Sequence, residues 1–238
     1  MSKQRVAAVL GVGPGLGTAA ARRFAREGFA VALLARGQDK LDHAKAQLDK
    51  LGGTSLAIAT DAGDPASVRA AFATIGRELG PPEVLIYNAG AYQIGGILEV
   101  TPEQFTACWQ ANCMGGFLAA QQVLPAMLER GRGTLLFTGA TASLRGSARF
   151  SCLAVGKFGL RALAQSLARE FGPRGIHVAH IIIDGQIDTP RLRAAAPDRD
   201  LATLLSADAI AETYWQLYQQ DRTVWTQELD LRPATEKF

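Results

Sequence analysis

Short, continuously apolar runs recur along this chain, separated by longer stretches in which apolar residues return every three or four positions. The runs Val6–Leu10, Ala30–Ala35, Ser55–Thr60, Glu83–Tyr87, Gly133–Thr138, His177–Ile183 and Val224–Leu229 each predict a strand. The periodic stretches Ala19–Arg26, Lys40–Leu51, Pro65–Leu79, Pro102–Arg130, Cys152–Phe171 and Ser206–Gln220 predict helices. The punctuation agrees. Gly52-Gly53 closes the second helix, Pro65 sits in the first turn of the third with Gly80 past its end, and Ser206 is placed to cap the last. Strands that are apolar throughout, rather than at alternate positions, are covered on both faces. The alternation of about seven strands with helices therefore predicts an α/β fold: a Rossmann-like, doubly wound, mainly parallel sheet with helices on both faces. A (β/α)8 barrel shares the alternation, but the glycine-rich first turn favours the open sheet.

Composition narrows the function classes. The 238 residues suit one domain spanning 1–238, and a 48% hydrophobic content can fill its core. The net charge is +3 and the basic residues are scattered, so neither nucleic acid nor a membrane surface is an expected partner. Cys108, Cys113 and Cys152 form no Cys-x-x-Cys, so neither a disulfide framework nor a metal site is expected, and a reducing, cytoplasmic location fits. No run approaches the ~18 apolar residues of a membrane span. The apolar segment after Arg5 is too short, and too interrupted by glycine, for a signal peptide.

The first turn carries the chemistry. Gly11-Val12-Gly13-Pro14-Gly15-Leu16-Gly17 lies between an apolar strand and a helix, the setting in which a glycine loop lets backbone approach a pyrophosphate. After the second strand the sequence reads Leu34-Ala35-Arg36. A carboxylate there would bond the ribose 2′-hydroxyl of NAD; Ala35 cannot, and Arg36 can pair with a 2′-phosphate. The expected cofactor is NADP in preference to NAD.

The spacing of Gly11, Gly15 and Gly17 resembles that of the short-chain dehydrogenase/reductase family, with Leu10 in place of the usual threonine. Five further motifs follow in the family's order: Asp61, Asn88-Ala89-Gly90, Asn112, Lys157, and Gly185 with Thr189. Asp184 stands where the family has proline. The resemblance implies adenine contact by Asp61, ribose binding by Lys157, and Asn112 and Lys157 in the catalytic set. It also implies an oxidoreductase acting on a small carbonyl or related substrate, with residues 188–205 as a flap.

Two further departures fall on catalytic positions. The tyrosine four residues before the lysine is Leu153, and the serine thirteen residues before that is Ala140. Leu144-Arg145-Gly146 keeps the family's offset, so no gap hides a tyrosine, and the chain resembles an atypical branch lacking it. Neither replacement can transfer a proton, a contribution of ~10²–10⁴ in rate. Thr141, Ser143, Cys152 and Tyr92 are the nearby groups that could substitute. His177 and His180 read as packed strand histidines, and His43 as part of a polar helix face. Two functions stay open: an oxidoreductase with a degenerate catalytic set, or an inactive NADP(H)-binding sensor. Leu153 and Lys157 share one helix face. Val155, Phe158 and Ala162 lie on another, and this face together with Ala119–Ala120 is expected to pair with a second copy, as homodimer or homotetramer.

Overall fold

The computed structural model describes residues 4–235. Seven parallel strands form one sheet. In chain order they are β1 (Val6–Leu10), β2 (Ala30–Ala35), β3 (Ser55–Ala59), β4 (Val84–Tyr87), β5 (Gly133–Thr138), β6 (Ile176–Ile183) and, last in the chain, β9 (Glu228–Leu231). Their spatial order is β3-β2-β1-β4-β5-β6-β9. The chain winds outward from β1 through β2 to β3, then returns to β1's other side with β4. The crevice at the carboxyl ends of β1 and β4 is the topological switch point at which open α/β sheets bind ligands.

Every residue of β1, β2, β4, β5 and β6 is buried, as the unbroken apolar runs require. Successive side chains point to opposite faces, and each face has its own core. Ala7, Val9, Val31 and Leu33 pack beneath helices α1 (Leu16–Arg26), α2 (Gln38–Asp49) and α8 (Ala207–Gln219). Val6, Ala8, Leu85 and Leu135 pack beneath α3 (Pro65–Glu78), α5 (Gly115–Arg130) and α6 (Ser151–Phe171). On the first face Phe24 and Phe29 meet Trp215 and Tyr218 edge to face at 5.3–6.2 Å. Asp64 caps α3 through Ala66 N–H, and Ser206 caps α8 through Ala209 N–H.

Two expectations needed correction, and one gained detail. Pro102–Arg130 is helical throughout, but α4 (Pro102–Trp109) passes through a single π-helical turn at Gln110–Met114 into α5. An inserted π residue leaves the apolar period helix-like, so sequence periodicity does not register it. Val224–Leu229 is not the last strand. Residues 222–224 form a 3-10 turn, Trp225 stacks on His177 at 4.9 Å, and β9 begins at Glu228. Ala119 and Ala120 are fully buried against the sheet and so present no surface; Trp109, Phe117, Val155 and Phe158 are the exposed large apolar side chains of this helical face. Between β6 and α8 the chain forms β7 (Gln186–Ile187), helix α7 (Pro190–Ala195) and β8 (Leu204–Leu205), with β7 and β8 paired. No described helix is long and apolar enough to cross a membrane.

Candidate active site

The glycine loop is built to let two chain segments touch. Gly11 has φ +106°, and a Cβ there would lie 2.3 Å from Ala89 N, so only glycine fits. Asn88 fixes the same junction by donating from Nδ2 to Gly11 O at 2.9 Å. Its role is thus more than a turn's. A Cβ on Gly17 would lie 2.3 Å from Gly11 O, so Gly17 lets α1 start directly against the loop. By contrast, nothing lies within 4 Å of a Cβ on Gly13, while its carbonyl accepts from Thr18 Oγ1 at 2.7 Å. The α1 N-terminus has no side-chain cap and no acidic residue in its first turn. Its N–H groups and positive dipole end remain available for an anion.

A cleft of about 250 Å³ follows from this loop along the carboxyl ends of β1, β2 and β4. Gly11, Gly13, Arg36, Asp61, Asn88, Ala89 and Gly90 all line it. Of the sequence-derived set, Leu16 is instead buried in the core, so it offers only backbone to the loop. Gly15 touches Thr189: a Cβ on Gly15 would lie 2.9 Å from Thr189 Cγ2. That contact brings the segment after Gly185 onto the loop. Thr189 itself caps α7 through Leu192 N–H. Asp61 does not cap α3. Its carboxylate accepts from Gly63 N–H at 2.9 Å, at the cleft wall.

Sequence reading missed Lys40, which lines the cleft with Arg36. Both are exposed, and no hydrogen bond or ion pair among the described residues holds either. The signal was there in the four-residue offset of Arg36 from Lys40, across the start of a helix.

Beyond β4 the polar groups turn inward. Asn112 lies on the π turn and is fully buried. Its Nδ2 donates to Ala91 O at 2.5 Å and Cys108 O at 2.9 Å, while Oδ1 has no protein partner. A Cβ on Gly90 would lie 3.0 Å from that Oδ1 and 3.7 Å from Lys157 Nζ, so Gly90, Asn112 and Lys157 converge. Lys157 is buried, not solvated, and donates to Thr138 O at 2.8 Å. Burial pushes its pKa down to about 8.

Ala140 and Leu153 are both half-buried. In the 3-10 turn after Ala140, Ser143 Oγ accepts from Ala140 N–H at 3.1 Å and contacts His180 Nε2 at 3.3 Å. His180 Nδ1 faces Glu228 at 3.1 Å, and Arg161 holds that carboxylate through two bonds of 2.7 Å. Burial pushes the His180 pKa down to about 4, so the ring is neutral: Nδ1–H donates to Glu228 and Nε2 accepts from Ser143. The inner end of this chain of groups is sealed, since Ser143 and His180 are 0% exposed. Tyr92 is 58% exposed and Cys152 is buried. Among the described residues, no cluster of His, Cys, Asp and Glu could hold a metal ion.

A glycine loop, an uncapped helix end and a cleft at the switch point define a nucleotide-binding α/β protein. The family model described as short chain dehydrogenase matches residues 5–200, and the chain belongs to that family. A crystallised short-chain dehydrogenase from Rhodopseudomonas palustris is 40% identical, with 96% of this chain and 98% of that one covered and a TM-score of 0.84. An alcohol dehydrogenase from the archaeon Thermococcus sibiricus, solved with 5-hydroxy-NADP, is 25% identical over 98% of each chain, with a TM-score of 0.88. A short-chain dehydrogenase/reductase of Armillaria gallica is 33% identical over 193 residues, covering 80% of this chain and 74% of the relative.

Proposed function

We propose that the chain is an NADP(H)-dependent oxidoreductase with a degenerate catalytic set, acting on a small carbonyl or alcohol substrate. The observation that carries the cofactor choice is the pair of unengaged cations, Arg36 and Lys40, on a cleft wall where a carboxylate would select NAD. The solved Thermococcus sibiricus relative, bound to an NADP derivative, supports the same choice. Gly13 and the α1 N-terminus would cradle the pyrophosphate, Asp61 would meet the adenine, and Lys157 would hold the ribose. Asn88, Ala89, Gly90, Gly185 and Thr189 would shape the rest of the groove. The open Oδ1 of Asn112 beside Lys157 supports a polar ligand there. When bound, the nicotinamide supplies reversible two-electron chemistry. Residues 188–205 act as a flap over the substrate.

Calorimetric titration of both cofactors tests this reading: NADP is expected to bind more tightly, and equal or tighter NAD binding overturns it. A second reading rests on Leu153 and Ala140, which can neither move a proton nor polarise a carbonyl: an NADP(H)-binding sensor in a reducing cytoplasm. Tight NADPH binding with no oxidation across aldehydes, ketones, quinones and imines favours that sensor. For assembly we propose a homodimer or homotetramer through Trp109, Phe117, Val155 and Phe158, because 37–45% exposure of four large apolar side chains on one face is costly in water. Sedimentation at micromolar concentration should show no monomer in the parent, and a monomer in Val155→Asp/Phe158→Asp.

A further inference from the structure

The turn after β5 sends two hydroxyl groups in opposite directions. Ser143 goes into the sealed inner end of the His180–Glu228 chain, where no substrate can reach it. Thr141, next to Ala140, is half-buried and keeps a route to solvent. Its hydroxyl donates to Asp184 Oδ1 at 2.5 Å. Asp184 is the residue that stands in place of the family's proline. It is 6% exposed, its N–H donates to Leu231 O at 2.8 Å, and its Oδ2 lies 3.4 Å from Arg232. A carboxylate this deep is expensive unless paired and hydrogen-bonded. Its pairing is made by one hydroxyl from the active-site turn and one guanidinium from the chain after β9.

Both groups stand at the carboxyl edge of the sheet. Thr141 follows Thr138, whose carbonyl holds Lys157. Asp184 directly follows β6, and five residues on Thr189 touches the glycine loop at Gly15. The pair thus bridges the Lys157 side of the site to the loop side. A hydroxyl whose own proton is held by a carboxylate presents its oxygen as an acceptor, the polarity suited to taking a proton from an alcohol.

We propose that Thr141, backed by Asp184, is the proton-accepting pair of this site and commits it to oxidising hydroxyl-bearing substrates. The inference rests on the oxidoreductase reading. The substrate O–H proton moves to Thr141 Oγ1 as Thr141's own proton moves to Asp184 Oδ1. The carbon's hydrogen leaves with its electron pair to an oxidised nicotinamide, and the alcohol becomes a carbonyl. Asp184 ends neutral and returns its proton to water. Thr141 touches the substrate; Asp184 acts through it as a positioning residue and proton store. The charged groups around Asp184 are Arg232 and, sharing that guanidinium, Asp230. Lys157 on α6 and His180 on β6 are turned to Thr138 O and Glu228.

The test uses the full chain loaded with NADP+ and mixed with 1-phenylethanol, cyclohexanol or 2-butanol, read as reduced cofactor in a single turnover. Thr141→Val and Asp184→Asn, both near-isosteric, should each slow it by on the order of 10²-fold, and Thr141→Ser should recover most of that loss. A readout independent of turnover is carbon NMR of the Asp184 carboxyl without cofactor. Thr141→Val removes a hydrogen bond to that carboxylate and should shift its resonance at neutral pH. Unchanged rates in both variants overturn the pair while leaving an oxidoreductase. A carboxyl resonance that does not respond to Thr141→Val also overturns the pair. A parent that reduces no cofactor with any alcohol overturns both the pair and the reading beneath it.

Discussion

The two halves of the sheet's carboxyl edge handle polar groups in opposite ways. From β1 to β4 they face an open cleft: Arg36, Lys40 and Asp61 are exposed, and Gly13 lines it. From β5 to β6 they are folded inward and bonded to one another, as in Lys157 to Thr138 O, Ser143 to His180, and Thr141 to Asp184. An exposed group can meet a ligand's charge, whereas a buried one must already be satisfied by protein. The first half therefore offers free polar groups to a ligand, where the second half offers only groups already bonded to protein, Lys157 among them. In the second half, two of the positions that would face a substrate are the hydrocarbon side chains Ala140 and Leu153, and half-buried Thr141 is the neighbouring hydroxyl left to do so.

The sharpest way to break the contrast is to restore the outward groups. Leu153→Tyr with Ala140→Ser should give NADPH-dependent reduction of a reactive dione at least ~10² faster than the parent. Each single change should do less than its share, because such groups act as a unit. Single-turnover assay of all four variants checks this. A parent as fast as the double variant would mean the second half is not deficient. A dead double variant that still binds NADPH would mean the pocket has left carbonyl chemistry.

Next in size is the open half. Arg36→Ala should weaken NADP by about 1.5–3 kcal/mol, the worth of a charged hydrogen bond, and Lys40→Ala should act in the same direction. NAD binding should change little in either. Calorimetry of the two cofactors separates these outcomes, and equal losses for NAD would mean the cations do not read the 2′-phosphate.

Lys157 gives a smaller, pH-dependent effect. Its folded pKa of about 8 lies below the ordinary lysine value of 10.5, because burial disfavours the charge. The unfolded chain then binds more protons between these values, so the parent gains stability as pH rises from about 8 towards 10.5. Below about 8 the full penalty of the buried charge is present. Lys157→Met, which removes the charge, should lose cofactor affinity, and its stability relative to the parent should be most favourable below pH 8 and fade above it. Chemical denaturation at pH 7 and pH 10 measures this. The smallest effect is expected from Asn88→Ala, which removes the bond to Gly11 O and should cost about 1 kcal/mol.

The layout of this edge was unevenly legible in the sequence. The buried strands were readable because apolar runs such as Ala30–Ala35 are covered on both faces and need no partner to declare themselves. Asn112 and Lys157 were placed by spacing, but the π turn that lodges Asn112 beside Lys157 leaves no periodic trace. β9 was misplaced because Val224 and Trp225 are apolar for another reason, Trp225 covering His177, while the true strand Glu228–Leu231 alternates with polar residues at an open sheet edge. The pairings of Thr141 with Asp184 and of Ser143 with His180 join residues 43 and 37 positions apart. Only the adjacency of β5 and β6 brings them together.

β7 and β8 meet through two residue pairs, Gln186 with Leu204 and Ile187 with Leu205, and so close the segment between them into a ring. Closing a loop costs entropy that grows only slowly with its length, which is why so short a clamp can hold so long a segment. Inside the ring neither α7 nor the turn at Leu201–Thr203 contains a buried residue. Releasing the clamp would therefore expose little apolar surface and carry little heat-capacity change, in contrast to any opening of the sheet itself. Motion of this segment is expected to vary weakly with temperature across the range in which the sheet's own stability curves strongly.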